Sequence, residues 1–256
     1  MEKVAMKKTM TDSNQRDPGK SQASSGSTEQ GFSADMARAR QRLHAISSLA
    51  LQQFEQVLSA YQSNNIRQAQ QVLSQLQRAQ DFELAMDDHC LDMLSHTASD
   101  RDLRLVLALL KAISDIEQIC NQNVQIAQQI LLNKTNTPTA KQLTAITTLA
   151  EPVGRMLGLA LAALQQQSSA QAEQAISLAA TVNKCYGAIL RSNLAENAPS
   201  QTGQLGATLG VNWVARALER IAEHSVHLAK QAVFMARVSS GQSSRVELQP
   251  RRPDRG

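Results

Sequence analysis

Apolar residues recur every three to four positions along six stretches of the chain, and polar or turn-forming residues separate the stretches. That period is the signature of helices with one buried face. The first helix is expected from Ser33 or Asp35 to about residue 61, with Leu43, Ile46, Leu49, Ala50, Phe54 and Val57 facing inward, and the run Gln62, Ser63, Asn64, Asn65 ends it. A second is expected over residues 66–94 and a third over 102–132, opened by Ser99 and Asp100 as an N-cap and acidic first turn. Asn133 to Pro138 then closes the first half. The plan repeats with helices over 139–166, 170–196 and 205–238. Short connections make neighbours antiparallel, so the pattern predicts an all-α fold, a duplicated three-helix bundle of six long antiparallel helices. The first bundle spans 32–134 and the second 139–241. A polar, low-complexity head over 1–31 and a basic tail over 242–256 are expected to be disordered.

The duplication is visible in the residues themselves. A shift of 102 positions lays Glu117 on Glu219, Leu107 on Leu209, Ile116 on Leu218, Ile119 on Ile221 and Val124 on Val226 without a gap. A period of that length points to a doubled subdomain rather than a solenoid. At about 100° per residue, Val106, Leu110, Ile113, Cys120, Val124, Ala127 and Leu131 share a narrow stripe, with Glu117 in its middle and Asn121 at its edge. The equivalent stripe in the second copy runs through Thr208, Asn212, Ala215, Glu219, Ala222 and Val226, small and polar residues that suit a site better than a core. A carboxylate on a core-facing stripe is costly without a cation, a metal ion or a partner helix beside it. A buried Glu–Arg pair, with Arg216 or Arg220, is the plainer way to satisfy Glu219.

Composition agrees with helix: aromatic residues make up 3% of the chain, and glycine and proline number only 11 and 6. Three widely spaced cysteines, Cys90, Cys120 and Cys185, exclude a disulfide framework or a zinc ribbon and suit a reducing, cytoplasmic setting. No window is apolar for long enough to cross a bilayer, and the head lacks the apolar core of a signal peptide. The net charge of +4 is concentrated in the arginine-rich tail, and no basic stripe interleaved with aromatics appears, so a nucleic-acid partner is not expected.

Asp102-Leu103-Arg104-Leu105, followed by Lys111-Ala112-Ile113-Ser114-Asp115-Ile116-Glu117, resembles the first signature of the PhoU family, and Ala215-Arg216-Ala217-Leu218-Glu219-Arg220-Ile221-Ala222-Glu223-His224 resembles the second. Glu83 to Cys90 is similar to the segment that precedes the first signature, and the likeness spans about residues 32–241. It implies six helices in two pseudo-symmetric bundles, in agreement with the periodicity. It also implies an E-x-x-x-D carboxylate pair on the third helix of each half that holds iron or zinc. Residues four apart do share a helix face, and carboxylates are hard oxygen ligands. This chain departs from that pattern. Asn121 stands where the first pair takes Asp, Glu223 where the second does, and Cys120 and Ala222 replace a glycine. Leu76, Gln80, Ala179 and Asn183 occupy positions where the family places supporting Asp or Asn residues. These losses point to a first site, Glu117 with Asn121, that is gone, and a second, Glu219 with Glu223 and His227 a turn on, that is incomplete. Glu83 and Asp87 could add oxygens in the first half, or form a solvated acidic face. His224 and His227 have the spacing of half a metal site, although a surface pair is the commoner meaning. Trp213 is expected in the core or at a dimer contact.

The resemblance implies a non-enzymatic accessory regulator of phosphate uptake. Such a protein would link the ATPase of a phosphate-specific ABC transporter to a phosphate-sensing histidine kinase, as a homodimer peripheral to the membrane and not inserted in it. No nucleophile–base arrangement and no glycine-rich phosphate loop is present in the sequence, which disfavours catalysis. A metal-binding bundle concerned with iron or zinc storage or hydrolysis, and an interaction scaffold that has lost the family role, are the rivals.

Overall fold

A computed structural model describes residues 19–97, 99–133, 137–196 and 205–241. Eight helices account for nearly all of them: α1 (Gly19–Ser63), α2 (Ile66–Ser74), α3 (Leu76–Ser95), α4 (Asp100–Leu132), α5 (Ala140–Gln166), α6 (Ser169–Ser177), α7 (Ala179–Glu196) and α8 (Leu205–Ser239). Among the described residues there is no strand. The all-α duplicated bundle is thus present, with α1, α2–α3 and α4 in one half and α5, α6–α7 and α8 in the other. The expected tail over 242–256, residues 134–136 of the connection between the halves, the expected turn over 198–203 and residues 1–18 lie outside the described residues.

Two differences from the sequence pattern are instructive. Helix α1 begins at Gly19 rather than Ser33 or Asp35, so part of the expected disordered head is helical. Once a helix is nucleated by its amphipathic segment, each further residue adds a hydrogen bond at little cost, and the turns upstream propagate from it. The second and fifth helices are each broken at one residue, Gln75 and Leu178. Both breaks have the same cause. Ser74 Oγ donates to the Gln71 carbonyl (2.8 Å) and Ser177 Oγ to the Gln174 carbonyl (2.7 Å). Those carbonyls are the ones that Gln75 and Leu178 would take in an unbroken helix. Their N–H groups turn instead to Val72 and Ala175, three residues back, which tightens the chain and kinks it.

The remaining boundaries follow cap chemistry. Asn64 adopts a left-handed conformation (φ 48°) that reverses the chain, and Asn65 Oδ1 accepts from the Gln68 N–H to start α2. Ser99 caps α4, with Asp100 and Asp102 against the positive end of the helix dipole. Thr139 and Gln142 form a reciprocal capping box at α5.

Helices α4 and α8 lie at the centre and pack on each other, each also carrying the other helices of its own half; α1 and α5 meet alongside. Burial on α4 is therefore not confined to one stripe: Leu105, Leu109, Ala112, Ile116, Ile119 and Ile126 are buried beside Val106, Ile113 and Cys120. A helix packed on most sides loses the amphipathic asymmetry of a surface helix. At the α1–α5 contact, Gly154 permits close approach, because a Cβ there would lie 2.8 Å from Cε1 of the buried Phe54 ring. Trp213 is 60% exposed and so is not a core residue, as are Leu209 and Leu103 in part. No helix among the described residues is long and apolar enough to cross a membrane.

Two measurements test this packing. Gly154→Val should lower stability by about 1–3 kcal/mol in urea unfolding, because Phe54 has no free space to move into. In the native protein a thiol reagent should react with Cys185 long before the other two cysteines. Burial pushes the Cys90 thiol up to about 11 and the Cys120 thiol up to about 12, whereas Cys185 is only half-buried.

Candidate functional site

Glu117 lies in the middle of α4 and is 5% exposed, as its place on the apolar stripe requires. Its carboxylate is satisfied by amides rather than by a cation. Asn121 Nδ2 donates to Oε1 at 2.7 Å from one turn on, and Gln118 Nε2 donates to Oε2 at 3.0 Å. Glu83 of α3 lies within its electrostatic reach. Glu83 is half-buried, and burial raises its carboxyl above the ordinary range, with the charges of Glu117 and Asp87 adding to that and a hydrogen bond from Ser114 opposing it. Glu83 and Asp87 are both half-buried, so they do not form a fully solvated face.

The first pair does not suit a metal ion as it stands. A cation there needs oxygen donors, but Asn121 presents its N–H₂ to Glu117 and both carboxylate oxygens already accept hydrogen bonds. The second pair differs. Glu219 is half-buried, and Glu223 is exposed one turn further along α8. Arg216 forms an ion pair with Glu219 from three residues back, which is the plainer arrangement expected from the sequence. Burial and then the Glu223 charge raise the Glu219 carboxyl, while Arg216 holds it down. Both acids line an open cleft of about 520 Å³ between α7 and α8, together with Ala179, Asn183, His224 and His227. Ala179 and Asn183 thus stand opposite the pair, where additional carboxylates would complete a site, and supply none. Two oxygens, one of them held by an arginine, make an incomplete ligand set.

The structure joins residues that the sequence left apart. Asp115, on α4 of the first half, meets both histidines of α8 in the second. His224 Nδ1 lies 2.8 Å from Asp115 Oδ1, and His227 Nδ1 lies 3.3 Å from the same oxygen. The imidazoles stand edge to face with centroids 5.9 Å apart. Among the described residues this is the one group of three potential metal ligands whose donor atoms converge, all within 4.8 Å of one another. The spacing of the histidines was legible in the sequence, but their acidic partner sits in the other half and no local pattern announces it. Elsewhere on the central helices, buried amides tie elements together: Asn123 Nδ2 donates to the Ala50 carbonyl of α1 (3.2 Å), and Gln142 Nε2 to Thr208 Oγ1 (3.3 Å) between α5 and α8.

A family model described as the PhoU domain matches residues 43–130 and again 146–232, one match in each half. The chain is 23% identical over 209 residues to a phosphate-specific transport system accessory protein PhoU homolog of Pseudomonas putida, covering 81% of each protein. It is 24% identical over 209 residues to a protein of the same description from a Burkholderia species, covering 80% of this chain and 88% of that one. In fold it is similar to the crystal structure of PhoU from Pseudomonas aeruginosa, with a TM-score of 0.77, 22% identity, and coverage of 80% of this chain and 99% of that one. It is also similar to the phosphate transport system regulatory protein PhoU of Streptococcus pneumoniae, with a TM-score of 0.72, 18% identity, and coverage of 82% and 97%.

Two substitutions at Asn121 probe the first pair. Asn121→Leu leaves a buried carboxylate oxygen without its donor and should cost about 1–3 kcal/mol. Asn121→Asp restores the family's acid but places a charge against Glu117, near Glu83 and Asp87. Repulsion raises the folded-state pKa of the new carboxyl, so the variant should approach wild-type stability near pH 4 and lose ground as pH rises to 7. Urea midpoints at the two pH values check the sign.

Proposed function

The chain belongs to the PhoU family, and from that membership we propose that it is a non-enzymatic accessory regulator of a phosphate-specific transport system. In this reading it contacts the ATPase of the transporter and a phosphate-sensing histidine kinase, and represses the phosphate-starvation response when phosphate is plentiful. It acts from the cytoplasmic side of the membrane without inserting, as a homodimer.

The observation that carries the reading is the match of the family domain to both halves of a scaffold that keeps its full six-leg plan. The descriptions of its relatives supply the phosphate-transport context. The surface supports recognition by helix faces. Leu84 and Leu91, two turns apart on α3, are 64% and 62% exposed, and Leu103 and Leu107 are exposed one turn apart on α4. Leu209 and Trp213 make a similar exposed step on α8, the surface best suited to a second copy. The carboxylate pairs play no part in the proposal, since neither presents a complete ligand set.

Deletion of the gene should leave phosphate-starvation promoters active under phosphate excess, read by a transcriptional reporter, and restoration of the gene should silence them. Unchanged repression in the deletion strain would overturn the proposal. Trp213→Ala should alter stability by less than about 0.5 kcal/mol while weakening self-association in sedimentation equilibrium.

A further inference from the structure

We propose that Asp115, His224 and His227 form a binding site for a single divalent transition-metal ion of the zinc or ferrous class, clamping the two halves of the molecule together across α4 and α8. The proposal is independent of the phosphate-regulatory reading and uses none of the E-x-x-x-D carboxylates.

The donor chemistry points to that class of ion. Two imidazole nitrogens and one carboxylate oxygen are a recurrent three-ligand set for zinc and for non-haem ferrous iron, with the remaining positions left open. The geometry is close to what such an ion needs. Ligand atoms at ~2.0–2.2 Å from a tetrahedral ion stand ~3.3–3.6 Å from one another. His227 Nδ1 and Asp115 Oδ1 are 3.3 Å apart, His224 Nδ1 is 2.8 Å from the same oxygen, and all three donor atoms lie within 4.8 Å of one another, so rotation of the imidazoles is what must bring them to an ion. Both imidazoles present Nδ1 to one oxygen although they sit three residues apart on a single helix. A hydrogen bond from either histidine would already partner that oxygen; His227, with 56% of its side chain exposed, turns toward it as well.

The surroundings fit an accessible site. Asp115 and His224 are mostly covered, with 15% and 18% of their side chains exposed, which anchors two of the ligands. His227 borders a second open cleft, of about 350 Å³, lined also by Lys111, Ser114, Lys230 and Gln231, which leaves room for water or another ligand at the open positions. Lys111 and Lys230 oppose a cation, but both are exposed and their charges are screened by solvent and salt. Glu223 and Glu219, in the neighbouring cleft, offset them in sign. Because the ligands come from both halves, the site exists only in the folded chain, and bound metal must stabilise it.

The test uses the full chain, stripped with a chelator and titrated with zinc chloride alone by calorimetry, with thermal unfolding in parallel. Expected are one ion per chain, a rise in Tm with zinc, and a loss of affinity on the order of tenfold or more in His227→Ala and in Asp115→Asn. His44→Ala, at an exposed histidine on α1, should bind as wild type does. Cobalt added in place of zinc should give the visible absorption bands of a four- or five-coordinate site, and these should be lost in His227→Ala. His227 is exposed, so its replacement leaves the fold intact, and circular dichroism confirms that before binding is compared. The proposal is overturned by the lack of saturable one-to-one binding, by equal affinity in His227→Ala, or by binding that is abolished in Glu219→Gln/Glu223→Gln and retained in the histidine variants.

Discussion

The whole architecture depends on the seam between α4 and α8. Each of these helices is covered by three or more neighbours, so the polar groups on their buried faces must find partners inside the protein. A small number of directed contacts meet that demand, most of them to the flanking helices. Asn123 reaches the α1 backbone, Thr208 meets Gln142 of α5, Asn212 accepts from Asn193 of α7 at 2.6 Å, and Asp115 engages the two histidines. Apolar packing along the seam is non-directional and would tolerate a slip of one helix against the other. Of the directed contacts, the meeting of Asp115 with the histidines crosses from α4 to α8, and a contact of that kind favours one register of the two helices over its neighbours.

The two halves answer the same problem differently, and their equivalent glutamates show how. Glu117 is enclosed and lies within electrostatic reach of Glu83, and its charge is met by the neutral amides of Asn121 and Gln118. Glu219 borders an open cleft, where solvent lowers the cost of charge and Arg216 can pair with it directly. An aspartate at position 121 would place a further negative charge against Glu117, which already lies within electrostatic reach of Glu83. At position 223 the carboxylate is exposed, and the longer glutamate side chain has been accepted there.

Much of the fold was legible in the sequence because helical periodicity and cap chemistry are local. The Asn65, Ser99 and Thr139 starts, the 102-residue repeat and the burial of Glu117 all follow from residues within a few turns of one another. What was not legible depended on competition or distance. The kinks at Gln75 and Leu178 arise because a serine hydroxyl outbids a backbone N–H for one carbonyl, and the apolar period runs through both breaks undisturbed. Trp213 carries the residue type of a core anchor but sits on the outer side of α8. The meeting of Asp115 with His224 and His227 spans more than a hundred positions, and no periodicity encodes it.

The glycine-to-larger replacements in the signatures bear on the same point. Cys120 and Ala222 stand where the family pattern has glycine, and both are buried, at 0% and 5% exposure. Both side chains are accommodated within the core, since protein interiors accept changes whose volume neighbours can match. The thiol of Cys120 now fills space directly beside Glu117, and an ion set against that carboxylate would have to share the space with it. The replacement of Asp by Asn121 and of Gly by Cys120 therefore act in the same direction on adjacent residues. Together they leave Glu117 in an enclosed step of the central helix whose hydrogen-bond partners along α4 are neutral, while Asp115, two residues before it, carries a polar connection between the halves.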